Sequence, residues 1–196
     1  MVNEKLSYRD FPVARVDAWT PQFPAGRLDK IYLHWSGHDY YSVFTAYNFC
    51  VALDEHDEPI VAYTHDLLEN MRDVRPDPFG PYAAHTKGRN SYACGIGVMC
   101  MEGATPADFG RYPLTEPLID GMCLVVARVA AHYKIPIDAD HVMTHAEAAV
   151  RDGYFGLEDG IDRWDIARLR PSSRPLVPED AKMVGDQLRL RSLQFL

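Results

Sequence analysis

The sequence predicts an α/β domain, a central mixed β-sheet flanked by helices. Three observations carry that expectation. Apolar runs rich in Val, Ile, Tyr and Phe recur at strand length in "KIYLHW", "NFCVALDEHDEPIVAY", "ACGIGVMCM" and "HVMTH". Between the last two lies "TEPLIDGMCLVVARVAAHYKI", whose apolar positions repeat at helical spacing. Finally, 196 residues with 47% hydrophobic and 24% charged side chains suit one globular domain with its own core.

Taken in order, residues 1–28 are polar and punctuated by Pro12, Pro21 and Pro24, which predicts an arm lying over the fold. The domain proper is expected over 29–170. "KIYLHW" is its first strand, and a short helix is expected over "DYYSVFTAY". In the hairpin that follows, Phe49, Val51 and Leu53 alternate inward, Asp54 to Glu58 turn, and Ile60 and Ala62 return. "NMRDVRPDPFGPYAAHTKGRNSY" is dense in Pro, Gly and charge and predicts a long loop. "ACGIGVMCM" reads as a buried central strand in which Gly95 and Gly97 mark a close approach. The helix after it has Thr115 as N-cap, Pro117 in its first turn, and a stripe of Leu118, Met122, Val125, Val126 and Val129. "HVMTH" is a strand, 151–162 a Gly-rich excursion, and "RWDIARLR" the start of another helix. Residues 171–196 supply a Pro-bounded linker and a terminal amphipathic helix, "EDAKMVGDQLRLRSL", packing on the same domain.

Composition narrows the partners. Twenty basic against 28 acidic residues give a net charge of -8 with no basic run, which disfavours nucleic acid. No apolar stretch approaches membrane-spanning length, so no membrane span is expected. "MVNEKLSYRDFPVAR" has no apolar h-region, so synthesis in the cytoplasm without a signal peptide is expected. Cys50, Cys94, Cys100 and Cys123 lie in or beside apolar runs with no CxxC pair, and read as buried free thiols.

"IYLHWSGHDY" carries the chemical question, because a strand heading into the core ends in His34. His145 ends "HVMTH" and Asp165 opens the next predicted helix. Adjacent strands lie about 4.8 Å apart, so imidazoles at neighbouring strand ends can share one ion. Two imidazoles and one carboxylate leave a fourth zinc position to water, the pattern of a catalytic site. A rival pair, His141 with His145, requires a helix to bring both onto one ion, and the Pro136-led segment reads as strand. On a strand those side chains stand about 13 Å apart. No HExxH occurs. The plainer reading is a strand-end histidine and a helix-starting aspartate satisfied by local hydrogen bonds.

Taken together, "IYLHWSG", "AYNFCVALDEHDEPI", "AAHTKGRNSYACGIGV", "MTHAEA" and "DRWDI" resemble the zinc-dependent N-acetylmuramoyl-L-alanine amidases, whose fold is shared by phage lysozyme amidases and peptidoglycan recognition proteins. The resemblance covers roughly residues 28–170 in the same order. It implies His34, His145 and Asp165 as ligands of Zn2+, Tyr47 and Arg163 as catalytic residues, and His85 and Asn90 as substrate-binding residues of a His-x-x-Gly-x-Asn loop. Three departures stand out. Arg163 occupies the place of a catalytic lysine and cannot donate its proton at neutral pH. Met99 stands where one branch has a catalytic glutamate, and Asn48 where a His is common. The stretch from His145 to Asp165 is also long for the family.

The activity implied is hydrolysis of the amide between N-acetylmuramic acid and L-alanine in peptidoglycan or muropeptides. Tyr47 and Arg163 would serve the oxyanion, and Arg163 would equally suit a peptide-stem carboxylate. Tyr47 and zinc-bound hydroxide are both candidates for the base. A phage-type endolysin, released to the wall through a holin-type pore, is the expected setting. The alternatives are a non-catalytic peptidoglycan-binding module and a cytoplasmic muropeptide-recycling amidase.

Overall fold

In the computed structural model, which describes residues 4–158 and 163–196, the α/β class and the mixed sheet are both observed. The main sheet has six strands: β2 (Val13–Arg15), β3 (Lys30–Trp35), β5 (Phe49–Leu53), β6 (Pro59–Tyr63), β7 (Ala93–Val98) and β8 (Val142–Thr144), ordered β2-β6-β5-β7-β3-β8. The hairpin half, β2-β6-β5, is antiparallel, whereas β5-β7-β3-β8 is parallel throughout. A separate two-stranded ribbon joins β1 (Leu6–Ser7) to β4 (Ser42–Val43).

Alternation along the parallel strands divides the sheet into two working faces. Ile31, Leu33 and Trp35 of β3 and Cys94, Ile96 and Val98 of β7 join one large core with α1 (Glu116–Tyr133). All five residues of the expected helical stripe are buried there. Thr115 takes the N-cap position, but through its carbonyl, which accepts from the Ile119 N–H; its hydroxyl makes no cap bond. Tyr32 and His34 point to the opposite face, where Tyr32 packs on Met143 and on Ala148 of α2 (His145–Asp152). α3 (Pro178–Leu193) closes the β8 edge, touching α1, α2 and β8. The four cysteines are free and buried.

Several local expectations are corrected. "DYYSVFTAY" forms no helix. Asp39 bends the chain by accepting from the N–H groups of Tyr41 and Ser42, and Ser42 and Val43 then pair with the arm. "RWDIARLR" is not helical either. Ile166 sits at φ 61°, a left-handed conformation from which a helix cannot propagate. His145 does not end a strand but begins α2, which a Thr144–Glu147 capping box starts. The arm is also more than a cover, since Val13–Arg15 add an edge strand to the sheet. Within the hairpin, Ile60 and Ala62 pair with Ala52 and Cys50 and join the second core, on the face opposite Phe49 and Val51.

Candidate metal centre

Parallel register assembles the site. Leu33 of β3 pairs with Thr144, the last residue of β8, so the residues that follow, His34 on β3 and His145 at the start of α2, emerge side by side at the carboxyl edge of the sheet. Open α/β sheets place their ligand sites at this edge. His34 Nδ1 lies 3.1 Å from His145 Nδ1, and Asp165 Oδ2 lies 3.2 Å and 3.1 Å from those same two atoms. Asp165 arrives on a loop held to the start of α2, where the Ala146 N–H donates to the Asp165 carbonyl at 3.1 Å. Bonds of about 2.0 Å to a tetrahedral ion space its ligand atoms by about 3.3 Å. The three side chains are therefore already at coordinating separation, and all three are buried.

The electrostatics favour a neutral His34 and an ionised Asp165. Burial pushes the His34 imidazole down to about 4, with Asp165 pulling the other way and His145 reinforcing the shift, so His34 is neutral at pH 7. Burial alone would raise the Asp165 carboxyl, but the two imidazoles hold it well below the usual carboxylate range. Asp165 Oδ1 and His145 Nε2 are buried without a well-directed hydrogen bond, Oδ1 having only a 3.0 Å contact with His145 Nδ1. In a closed structural pair such atoms would be satisfied. His34, His145 and Asp165 can thus hold a metal ion.

Glycines make room for the shell beneath. A Cβ on Gly95 would run into the His85 ring, and one on Gly97 into the Tyr47 ring. Both glycines face the side of the sheet that carries His34, so a side chain there would displace the residues that line it. Tyr47 consequently sits with its ring 5.2 Å from that of His34, and its hydroxyl donates to the Trp35 carbonyl at 3.4 Å. Burial, with the Asp165 charge adding to it, drives the Tyr47 phenol far above its usual range, so it keeps its proton.

Thr86 is one site residue that the sequence did not single out. Its Oγ1 lies 3.2 Å from His34 Nε2 and 3.0 Å from His85 Nδ1. A His34 Nε2–H donating to this hydroxyl leaves the Nδ1 lone pair facing the other ligands, and the hydroxyl proton can pass on to His85. Thr86 directly follows the His of the His-x-x-Gly-x-Asn pattern, and that adjacency was the available signal. Asn90 accepts from the Thr86 N–H at 2.9 Å, so its amide braces the loop that carries both. Wholly buried Asn70 anchors the same loop, donating to the Ala83 and Asn90 carbonyls.

A cleft of about 860 Å³ opens over this cluster. The seven residues expected from the sequence, Tyr47, Arg163, His85, Asn90, His34, His145 and Asp165, all line it. Arg163 is placed there by backbone pairing, its N–H donating to the Tyr154 carbonyl at 2.9 Å. Tyr154, also on the wall and unexpected from sequence, packs its ring 6.0 Å from that of His145, and burial raises its phenol to about 12. Met99 is apolar core, fully buried beside Val43 and Phe44, and brings no carboxylate to the cleft. His141 stays outside, bonded to Asp138. The Gly-rich excursion continues into residues 159–162, which lie outside the described residues, so the path that delivers Asp165 is followed only from Arg163 onward. Among the described residues, no helix is long and apolar enough to cross a membrane. Comparison of the sequence with profiles of known protein families and with curated proteins returns no match.

Proposed function

We propose that the chain is a zinc-dependent N-acetylmuramoyl-L-alanine amidase with a peptidoglycan-recognition-protein-like fold, acting on peptidoglycan or muropeptides as a phage-type endolysin. The observation that carries this reading is the convergence of His34, His145 and Asp165 at coordinating distance on the floor of an open cleft. Two imidazoles and one carboxylate match the three-ligand pattern of catalytic zinc, and the cleft supplies the open side.

Bound zinc would supply a Lewis acid that polarises the amide carbonyl and acidifies a water. The chain's own residues do the rest. Asp165, ionised beside the neutral His34 imidazole, would leave the ion a net positive charge to act with. Tyr47, protonated and pinned against β3, can donate to the developing oxyanion and pass its proton to the departing amine. Arg163, on the same wall, adds a permanent positive charge for the oxyanion or for a carboxylate on the peptide stem. A fixed donor of this kind is worth about 3 kcal/mol of barrier. His85 and Asn90 shape the loop wall against which the substrate lies. Aromatic side chains of Trp35, Tyr82, Tyr154 and Trp164 around the cleft suit the apolar faces of sugar rings.

Incubating the protein with purified muropeptides, with and without a chelator, tests the assignment. Chelator-sensitive release of the stem peptide is the expected result. Binding without turnover would favour a non-catalytic recognition module instead, and neither binding nor turnover would direct attention to another amide. Parallel assays on whole sacculi and on soluble anhydro-muropeptides separate an endolysin from a recycling amidase, since a recycler leaves sacculi nearly untouched.

A further inference from the structure

We propose that the C-terminal helix α3 positions the metal centre, by gripping the two chain segments that carry His145 and Asp165 through two separate buried ion pairs. The proposal rests on the metal-centre reading above. The first pair joins Arg189 of α3 to Glu147, two residues beyond His145. Arg189 Nη1 and Nη2 donate to the two Glu147 carboxylate oxygens at 3.0 Å and 2.9 Å, and Nη1 also donates to the Val142 carbonyl of β8 at 2.7 Å. Glu147 Oε2 in turn accepts from the Thr144 N–H at 2.9 Å, closing the capping box that starts α2 at His145. One guanidinium therefore ties the start of β8 to the first turn of α2, with His145 between them.

The second pair reaches the other ligand segment. Asp180, in the first turn of α3, accepts from Arg168 at 3.0 Å. Arg168 lies three residues beyond Asp165 and donates to the Ser172, Arg174 and Pro175 carbonyls at 2.7–2.8 Å. With Ile166 left-handed and no helix to order it, this loop depends on such side-chain bonds for its path. Arg168, Asp180 and Arg189 are each 5% exposed or less.

Burying four charges is a costly way to hold a helix to a sheet, and apolar packing does that more cheaply. A bidentate guanidinium–carboxylate fork adds what apolar packing does not, a fixed direction and register. Gly185 shows how closely the parts are fitted, because a Cβ there would strike the Glu147 carboxylate. α3 can approach α2 this closely only where it has no side chain. These are positioning residues: none of the four charged side chains lines the cleft.

The test uses the full chain in three forms besides wild type. Glu147→Gln with Arg189→Gln, and Asp180→Asn with Arg168→Gln, each remove both charges of a pair and so strand no buried ion. Gly185→Ala leaves every charge in place and pushes α3 off Glu147, which keeps the test open should a neutralised pair fail to fold. Zn2+ affinity is read by competition with a chromophoric chelator, and ligand geometry by the visible spectrum of bound Co2+. Each variant is expected to bind Zn2+ about 10- to 100-fold more weakly, as loss of outer-shell support does at metal sites, with an altered Co2+ spectrum. Val61→Ala, buried in the hairpin away from the cleft, is expected to melt lower yet keep wild-type Zn2+ affinity. Folded variants with wild-type Zn2+ affinity and Co2+ spectrum would overturn the positioning role alone. A wild-type protein that takes up no Zn2+ would remove the metal centre and this proposal together.

Discussion

Asp165→Asn probes the centre with the least disturbance to packing. The two side chains are nearly equal in volume, so the 8%-exposed site keeps its shape and no cavity opens. What changes is charge: the group that lies 3.0–3.2 Å from both imidazoles ceases to be an anion. Disturbing outer-shell support alone typically weakens metal binding by about 10- to 100-fold, so removing a charged ligand should cost at least about 100-fold. Melting curves convert this into temperature. At zinc about 100-fold above the wild-type dissociation constant, binding stabilises the native state by about 2.7 kcal/mol. At about 2–4 °C per kcal/mol for a chain of this length, that is a rise of about 5–11 °C. A variant binding about 100-fold more weakly gains only about 0.4 kcal/mol under the same conditions, or about 1–2 °C. Without metal, the two proteins should both melt cooperatively. Equal zinc-induced shifts in the two would eliminate Asp165 as a ligand and with it the reading of the site.

Other perturbations reach different parts of the same argument. Tyr47→Phe should retain zinc and slow muropeptide turnover by about two to three orders of magnitude, as loss of one oxyanion donor does; an unchanged rate takes Tyr47 out of the chemistry. Thr86→Val removes the hydroxyl 3.2 Å from His34 Nε2 at almost constant volume, and zinc titration should show about 10- to 100-fold weaker binding. Chelator treatment should abolish turnover, and added zinc should restore it. Asp39 offers a pH test away from the site. Burial works against its charge, but Lys5, the Ser42 hydroxyl and two backbone N–H groups hold its carboxyl down at about 2. A depressed carboxyl stabilises the fold above its unfolded value near 4, and that contribution disappears as pH falls from about 4 to about 2. Denaturant melts should therefore show wild type ahead of Asp39→Asn at pH 6, with the gap shrinking towards pH 2.

Some of the site could be read directly from the chain. His34 announces itself because a polar ring ends an otherwise apolar strand, and Gly95 and Gly97 because glycine weakens a strand interior unless something must come close. The rings of His85 and Tyr47 are what come close. Other features left weaker traces. The start of α2 was hidden because Thr144 and Glu147 make a capping box within what reads as the end of a strand. Asp165 fits a helix start by composition, yet Ile166 adopts a left-handed conformation that no local preference of a β-branched residue would forecast.

Periodicity and residue type are local properties, and they were enough for the α/β class, the long helix α1, the hairpin, and the kinds of side chain able to bind a metal. Distance between remote segments is not local. That His34 meets His145 follows from the Leu33–Thr144 register of two parallel strands separated by more than a hundred residues. That Asp165 joins them follows from backbone and side-chain bonds to α2 and α3. A one-residue slip in that pairing would turn His34 to the other face of the sheet while leaving every sequence pattern intact. Only packing of the whole chain selects the register, because only there do the two cores on either side of the sheet fill together.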